Sequence, residues 1–298
     1  MKDSYYKPSG RIEPIYYLYY LILVIIGIPL LGTAYIYLAH YVPFIYANVF
    51  VAVGCGVALG NAIGFIAKAG KARNPIVVLV CALAAMCVLK YVQWCIYIPL
   101  VFTDVYGIWD ITFGERFVES FSFFIQPSMA YEAATFINRY GSWSVDVVGS
   151  NSANAVSGVP LLVVWIGEFV AMAAAAVTGV WRWPRLPFSE EANGWYTKKD
   201  RSIEADIADD FGAMKSSMES GNFTELVQHA KAGKTDGANF MRIAFFQPPQ
   251  DSYAEPYYLT IVQHTTGKRN KNRAKTLVEY LAIDARTVSE MAAQAAFP

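Results

Sequence analysis

The sequence predicts a mainly α-helical membrane protein: a four-helix polytopic bundle with an outer amphipathic helical cap, followed by a small cytoplasmic α+β domain. Three observations support this. Charged residues make up only 16% of the 298 residues, whereas soluble domains contain roughly 25%. Long apolar runs dominate the chain as far as Trp181, and an ordinary soluble composition begins at Pro184. Positive charge is concentrated on one side of the runs. We therefore predict a membrane domain over 1–186 and a cytoplasmic domain over 187–298.

Four apolar runs are long enough to cross about 30 Å of hydrocarbon as helices. They cover residues 14–38, 43–67, 75–102 and 159–181. In the first run, Gly27, Pro29 and Gly32 predict a kink, which membrane helices tolerate. Tyrosines near both ends of that run predict interfacial belts. These are Tyr16, Tyr17, Tyr19 and Tyr20 at one end, and Tyr35, Tyr37 and Tyr41 at the other.

The distribution of lysine and arginine predicts the orientation, because these residues are enriched in short cytoplasmic flanks. Cations precede the first span, occupy the turn between the second and third spans, and follow the fourth. They are Lys2, Lys7, Arg11, Lys68, Lys71, Arg73, Arg182, Arg185, Lys198, Lys199 and Arg201. The segment 103–158 contains only Arg116 and Arg139. We therefore expect a multi-pass protein of a bacterial-type inner membrane with both termini cytoplasmic.

The segment 103–158 is predicted to lie at the outer interface. Phe113, Phe117, Phe121 and Phe124 recur at helical spacing, which is typical of an amphipathic helix in the interface plane. Pro127 is expected to end this helix, with a second helix over 128–139. The segment is interpreted as a lid on the bundle, or alternatively as a cap that captures a ligand or partner.

Lys90 and Glu168 each interrupt a long apolar run. An ionised side chain near the bilayer centre costs roughly 2.5–3.5 kcal/mol on insertion scales. Lys90 lies about 14 residues, roughly 21 Å, above Ile76, and Glu168 about 13 residues, roughly 20 Å, above Trp181. Since the two spans are antiparallel, these depths match. We predict an ion pair between Lys90 and Glu168, with Gln93 as a neighbouring hydrogen-bond partner.

This pair has three interpretations. It fixes the register and rotation of the helices, it takes part in proton or ion translocation, or it serves as the counter-ion of a ligand.

The second run contains Gly56, Gly60 and Gly64, a stripe of glycines four residues apart. Small residues at this spacing let helix backbones approach closely. The stripe is expected to pack against another span of the same chain, or alternatively to form the seam of a homo-oligomer. Asn61 offers an additional interhelical hydrogen bond.

The C-terminal domain is predicted from changes of period. Helices are expected over 203–218 and 223–232, followed by antiparallel strands over 240–247 and 257–265. A third strand over 275–283 and a closing helix over 285–296, capped by Asp284, complete the α+β prediction.

A basic cluster lies between the second and third predicted strands. On the cytoplasmic side of a membrane it suits anionic lipid headgroups, at about 1 kcal/mol per cation near the surface. It is alternatively a solvated hairpin tip or a site for nucleotide or nucleic acid, although the zero net charge of the chain disfavours nucleic acid. The candidate residues are Lys268, Arg269, Lys271, Arg273 and Lys275.

No catalytic motif is present, and we predict no catalytic residues, metal site or cofactor. Gly233-Lys234-Thr235 resembles the end of a phosphate-binding loop, but Gln228 stands where that motif requires glycine. The histidines lack metal-binding spacing; they are His40, His229 and His264. The cysteines all lie in apolar spans, where thiols act as small hydrophobic groups; they are Cys55, Cys81, Cys87 and Cys95.

Two functional hypotheses follow. The first is a non-enzymatic sensor, scaffold or assembly subunit in contact with membrane lipids, whose tail binds a cytosolic protein partner. The second is a small oligomeric transporter or ion-conducting subunit that uses Lys90, Glu168 and Gln93. A membrane enzyme acting on a lipid or lipid-linked substrate is a third, weaker alternative.

Overall fold

A computed structural model describes residues 4–42, 45–141, 144–145, 154–199, 202–234, 239–249, 255–266 and 272–294. The chain is mainly helical, with four long apolar helices and a small C-terminal region that contains a sheet. It divides into two compact units. One unit is Gly10–Pro184, and the other contains the described residues before Gly10 and those from Arg185 onward.

The first unit is helical. Its helices are α1 (Pro14–Tyr41), α2 (Ile45–Ala69), α3 (Pro75–Leu100), α4 (Phe113–Ile125), α5 (Pro127–Tyr140) and α6 (Val159–Val180). Helices α1, α2, α3 and α6 are long and apolar enough to cross a membrane. A short antiparallel pair, β1 (Ser144–Val145) and β2 (Asn154–Ala155), precedes α6.

Helix α1 contains a π-helical turn, Leu23–Gly27, two residues before Pro29. Proline has no backbone N–H, and its ring clashes with the carbonyl group four residues earlier. A π turn is one of the usual ways in which a helix accommodates such an interruption. The sequence predicts a kink in this region; the structure shows a π-helical turn there, and the helix continues through it to Tyr41.

The turn between α2 and α3 is short, and two residues, Asn74 and Pro75, start α3 directly after it. Asn74 is the N-cap, and its side-chain oxygen accepts hydrogen bonds from the backbone N–H groups of Ile76 and Val77, both at 3.1 Å. Pro75 occupies the first helical position, where its missing N–H costs nothing.

Helices α4 and α5 occupy the segment predicted as an amphipathic helix followed by a second helix. Thr112 and Glu115 form a capping box that starts α4. These backbone and side-chain hydrogen bonds lower the pKa of the Glu115 carboxyl group. The four phenylalanines at helical spacing along α4 are all more than 36% exposed. Phe113 also contacts the Tyr37 ring, and Phe124 contacts the Tyr91 ring.

Two tyrosines that the sequence assigns to interfacial belts lie inside the helical unit. Tyr16 is fully buried, and a Cβ atom on Gly70 would lie 2.6 Å from the Tyr16 Cα atom. Tyr35 is only 5% exposed. The prediction of the belts uses only the position of each tyrosine along the helix, and it ignores the face of the helix on which the side chain lies. Tyr17 and Tyr41 are exposed.

The second unit contains an antiparallel sheet and three helices. The strands of the main sheet are β5 (Thr197–Lys198), β6 (Ile203–Asp206), β7 (Asn239–Gln247), β8 (Tyr257–Thr266) and β9 (Asn272–Ile283), after a small hairpin of β3 (Phe188–Ser189) and β4 (Gly194–Trp195). Strands β5 and β6 both pair with β7, which pairs with β8, which pairs with β9. The helices are α7 (Phe211–Glu219), α8 (Thr224–Ala232) and α9 (Ala285–Gln294).

Alternate residues of the sheet build a separate hydrophobic core. Ile243 lies opposite Ile203 on one side and Ile261 on the other, and all three belong to the core. Met214 of α7 and Leu226 of α8 pack into the same core.

The predicted helix over 203–218 is partly wrong, because its first residues form strand β6. Ile203 and Ala205 are buried while Glu204 and Asp206 are half-buried, and this alternation is the period of a strand. Asp210 caps α7 by accepting a hydrogen bond from the Ala213 N–H at 2.9 Å.

The N-terminal segment also differs from the prediction, which places it in the membrane domain. Tyr5 forms an antiparallel bridge with Leu281 of β9. The Tyr6 N–H donates to the carbonyl oxygen of Tyr280, and the Ala282 N–H donates to that of Ser4. The segment pairs in this way because β9 is an edge strand, and an edge strand presents unpaired backbone groups.

Candidate functional site

The central feature of the helical unit is a charged pair between α3 and α6. The Lys90 Nζ atom donates to the Glu168 Oε1 atom at 2.6 Å. The two side chains are 18% and 24% exposed. Helices α3 and α6 therefore each carry one charge near the middle of the helix, and the two charges neutralise each other directly.

A third residue shares the same carboxylate oxygen. The Tyr35 hydroxyl group of α1 donates to Glu168 Oε1, also at 2.6 Å. Charge-assisted hydrogen bonds of this kind are stronger than those between neutral groups. Glu168 is thus held by one donor from α3 and one from α1.

Gln93 lies one turn beyond Lys90 on α3 and faces a different neighbour. Its Nε2 atom lies 3.8 Å from the Cys55 sulfur of α2. Gln93 is 1% exposed, and its Oε1 atom is buried without a hydrogen-bond partner in the described part of the chain. The predicted Gln93 is therefore close to the ion pair along the helix but is not bonded to it.

Together these contacts form a cluster drawn from all four apolar helices. Its members are Tyr35 of α1, Cys55 of α2, Lys90 and Gln93 of α3, and Glu168 of α6. We call this set the polar cluster. It contains one paired carboxylate and one buried amide oxygen that is still able to accept a hydrogen bond. Within the described ranges, no three or more His, Cys, Asp or Glu residues are grouped so that they could hold a metal ion.

The glycine stripe lies between α2 and α6. A Cβ atom on Gly56 would come within 2.3 Å of the Met172 carbonyl oxygen, and one on Gly60 within 2.4 Å of the Ala176 carbonyl oxygen. A Cβ atom on Gly64 would meet the Trp183 ring at 2.3 Å. All three glycines therefore permit close contacts within the chain.

A second cluster joins three segments at the C-terminal end of α1. Arg116 of α4 forms a bidentate pair with Asp104, at 2.7 and 3.3 Å. His40 of α1 lies 3.2 Å from the same carboxylate group. Asp104 belongs to the π-helical turn that continues α3, so the cluster connects α1, α3 and α4.

The basic cluster of the C-terminal unit is described only in part. Arg273 and Lys275 lie on β9 and are exposed. Lys268, Arg269 and Lys271 lie outside the described residues.

The C-terminal unit also has a shallow cleft between the start of α8 and α9. Its volume is about 390 Å³, and Phe223, Val227, Lys231 and Glu290 are among its lining residues. It contains both apolar and charged side chains.

Sequence reasoning identifies Lys90 and Glu168 because charges in apolar runs are conspicuous. It misses Tyr35, whose ring looks like part of an interfacial belt, and Cys55, which looks like an ordinary small apolar residue. It also misses the contact of Asp104 with Arg116 and His40. The acid precedes Arg116 by twelve residues, and no periodic pattern relates them.

The fold and the cluster define a mainly helical protein with four helices of membrane-spanning length and a C-terminal region that contains a sheet. No protein-family model, curated protein or solved structure matches the chain.

Proposed function

We propose that this chain is an integral, multi-pass membrane protein with both termini in the cytoplasm, and that it acts as a non-enzymatic sensor, scaffold or assembly subunit. In this proposal the helical unit holds the protein in the membrane, and the C-terminal unit contacts a cytosolic protein partner.

The observation that carries the proposal is the exposed apolar surface of α1, α2, α3 and α6. Only 22% to 39% of the residues in the most apolar window of each helix are buried. Monomeric soluble proteins rarely expose continuous apolar patches above a few hundred Å². A hydrocarbon medium around these helices removes that difficulty, and the lysines and arginines of their flanks favour the stated orientation.

The geometry of the polar cluster favours a structural role. Lys90 and Glu168 are bound to each other at 2.6 Å, and Tyr35 occupies the same oxygen. A charge that is paired in this way avoids most of the cost of an isolated charge in hydrocarbon. This geometry therefore favours a pair that fixes the register of the helices over a transport site that must release its ion at each turnover.

A transport assay tests this choice. We expect liposomes containing the wild-type chain to show no flux of H⁺, Na⁺, K⁺ or Cl⁻ above that of protein-free liposomes. Wild-type flux that Glu168→Gln abolishes, in a variant with unchanged helical content, would contradict the proposal.

The alternative function is a small oligomeric transporter or ion-conducting subunit. One observation favours it: the buried Gln93 Oε1 atom has no partner among the described residues, which suits a site that receives a proton donor or a cation. In the flux assay this alternative predicts that Gln93→Leu lowers the rate, whereas Thr178→Val, on the exposed side of α6, does not.

The partner contact is assigned to the cleft between α8 and α9. Lys231 and Glu290 are exposed at this cleft, and reversal of both charges preserves the net charge. We expect the double variant Lys231→Glu, Glu290→Lys to lose a cytosolic protein that the full-length wild type retains during purification in mild detergent. Lys198→Glu, an exposed change on β5, serves as the control. Equal retention by all three proteins would overturn the assignment.

We also propose that the basic cluster contacts anionic lipid headgroups. Arg273 and Lys275 are exposed on β9, which leaves their charges accessible. A fluorophore at Lys275→Cys in the full chain should be quenched by spin-labelled lipids in anionic nanodiscs at low salt. The same label at Glu290→Cys is the control. Equal signals in anionic and zwitterionic nanodiscs would indicate a solvated tip.

A further inference from the structure

Helix α2 has a second face that no part of the described chain covers. Phe50 and Phe65 are 78% and 69% exposed, and Val57 between them is 41% exposed. Gly54 and Asn61 are exposed on the same side, three or four residues from their neighbours in this series. We call these five residues the open face of α2. It lies about a quarter turn around the helix from the glycine stripe, which packs against α6 and Trp183.

Asn61 is the unusual residue of this face. It lies eight residues before Ala69, about 12 Å along the helix, and therefore well inside the apolar run. Within the described chain its side chain forms no hydrogen bond. An amide exposed to hydrocarbon has no water to bond, so each unsatisfied group is costly.

Two exposed threonines of the apolar helices avoid this cost. The Thr33 hydroxyl donates to the Pro29 carbonyl oxygen of its own helix at 2.8 Å. The Thr178 hydroxyl donates to the Ala175 carbonyl oxygen at 2.7 Å. Asn61 has no such bond to any described residue, so its amide is available to a partner.

Gly54 provides independent support. A Cβ atom on Gly54 would meet nothing within 4 Å, whereas the glycines of the stripe all face close contacts. Gly54 is therefore not required by the packing of this chain. A small residue beside Asn61 leaves room for another helix to approach.

We propose that the open face of α2 is the seam of a homodimer, in which Asn61 bonds to Asn61 of a second copy. This inference rests on the proposed insertion in a membrane. Two copies inserted with the same orientation carry Asn61 at the same depth, and an amide has both donors and an acceptor. The contact is therefore self-complementary about a two-fold axis, the commonest symmetry of oligomers.

Disulfide cross-linking of the full chain in liposomes tests the seam. Ala58 is exposed beside the open face, so oxidation of an Ala58→Cys variant should yield a covalent dimer. The wild-type chain is the internal control, because its exposed native thiol, Cys87, lies on α3 and should give no dimer.

Two further variants relate the cross-link to the amide and the glycine. Asn61→Leu, which keeps the side-chain volume, should weaken dimerisation roughly three- to tenfold, as expected for the loss of an interhelical hydrogen bond. Gly54→Leu should weaken it further while leaving the thermal unfolding of the monomer unchanged. Thr178→Val should leave the cross-linking yield unchanged.

The outcomes separate the two proposals. A protein that stays with the liposomes after alkaline carbonate treatment but gives no Ala58→Cys dimer, or whose dimer is insensitive to Asn61→Leu, refutes the seam alone. A protein that carbonate releases refutes membrane insertion, and the seam with it.

Discussion

Glu168 connects more of the helical unit than any other residue of the polar cluster, because one of its oxygens accepts from both Lys90 and Tyr35. Three apolar helices meet at this oxygen atom. Removing one member of such a pair leaves the other charge without compensation in a medium that solvates charge poorly. Removing both members leaves no charge to compensate.

This difference predicts the behaviour of single and double variants. Lys90→Met alone and Glu168→Gln alone should each lower the free energy of unfolding by about 3 kcal/mol, the lower end for breaking a buried pair. The double variant should lose clearly less than the sum. Thermal unfolding of the detergent-solubilised chain measures the effect, with Thr178→Val as the control. Strictly additive losses would show that the two residues stabilise the bundle independently.

At the residue scale, the sequence draws attention to side chains that are unusual in their surroundings. Lys90, Glu168 and the glycine stripe are visible because their residue types are rare or periodic in apolar helices. The direction in which a side chain faces is harder to predict. Tyr35 and Tyr37 are two residues apart at the same end of α1, and only the packing of α1 on its neighbours turns Tyr35 inward.

At the scale of elements, the N-terminal segment is the clearest departure from the prediction. Ser4, Tyr5 and Tyr6 extend the sheet at β9, and the Tyr5 hydroxyl donates to the Glu219 carboxylate at 2.6 Å. Sequence reasoning misses this contact because three residues are too few to show a period. Its partner strand is more than 270 residues away.

The Tyr5 contact predicts a pH-dependent contribution to stability. Burial and the hydrogen bond to Glu219 raise the pKa of Tyr5 above its ordinary value of 10.0. Because the pKa is raised, the stabilisation by the Tyr5 contact is complete below about pH 10. It is lost as the pH rises through the pKa of Tyr5 in the folded state. Tyr5→Phe should cost about 1 kcal/mol at neutral pH.

Circular dichroism of the full chain at neutral and alkaline pH measures this effect. The variant should lose less stability than the wild type on going to alkaline pH, and Tyr19→Phe, on α1, should behave as the wild type. An identical pH response of Tyr5→Phe and the wild type would argue against the contact.

The strand β6 shows why the other misassigned element was missed. Its four residues are too few for a period of two to stand out from the helical sequence that follows. What decides the structure is the pairing of Ile203 with Ile243 on β7, a contact between distant parts of the chain. The long helices and the strands β7, β8 and β9 are predicted more closely because each carries its own extended pattern.

At the scale of the whole molecule, the distribution of charge has the greatest consequence. Apolar helices of spanning length, basic flanks and the exposed phenylalanines of α4 are all compatible with the proposed topology. The four helices and the sheet-containing C-terminal region are present in the structure. The side of the membrane on which each part lies is proposed, and the proposed function depends on it.

Accessibility of introduced thiols to a membrane-impermeant maleimide tests that topology most directly. Gln126, between α4 and α5, and Glu290 of α9 are both exposed, so a cysteine at either position should be reactive. In intact spheroplasts Gln126→Cys should be labelled and Glu290→Cys should not, until the membrane is permeabilised. Labelling of Glu290→Cys in intact spheroplasts, or protection of Gln126→Cys, would contradict the account.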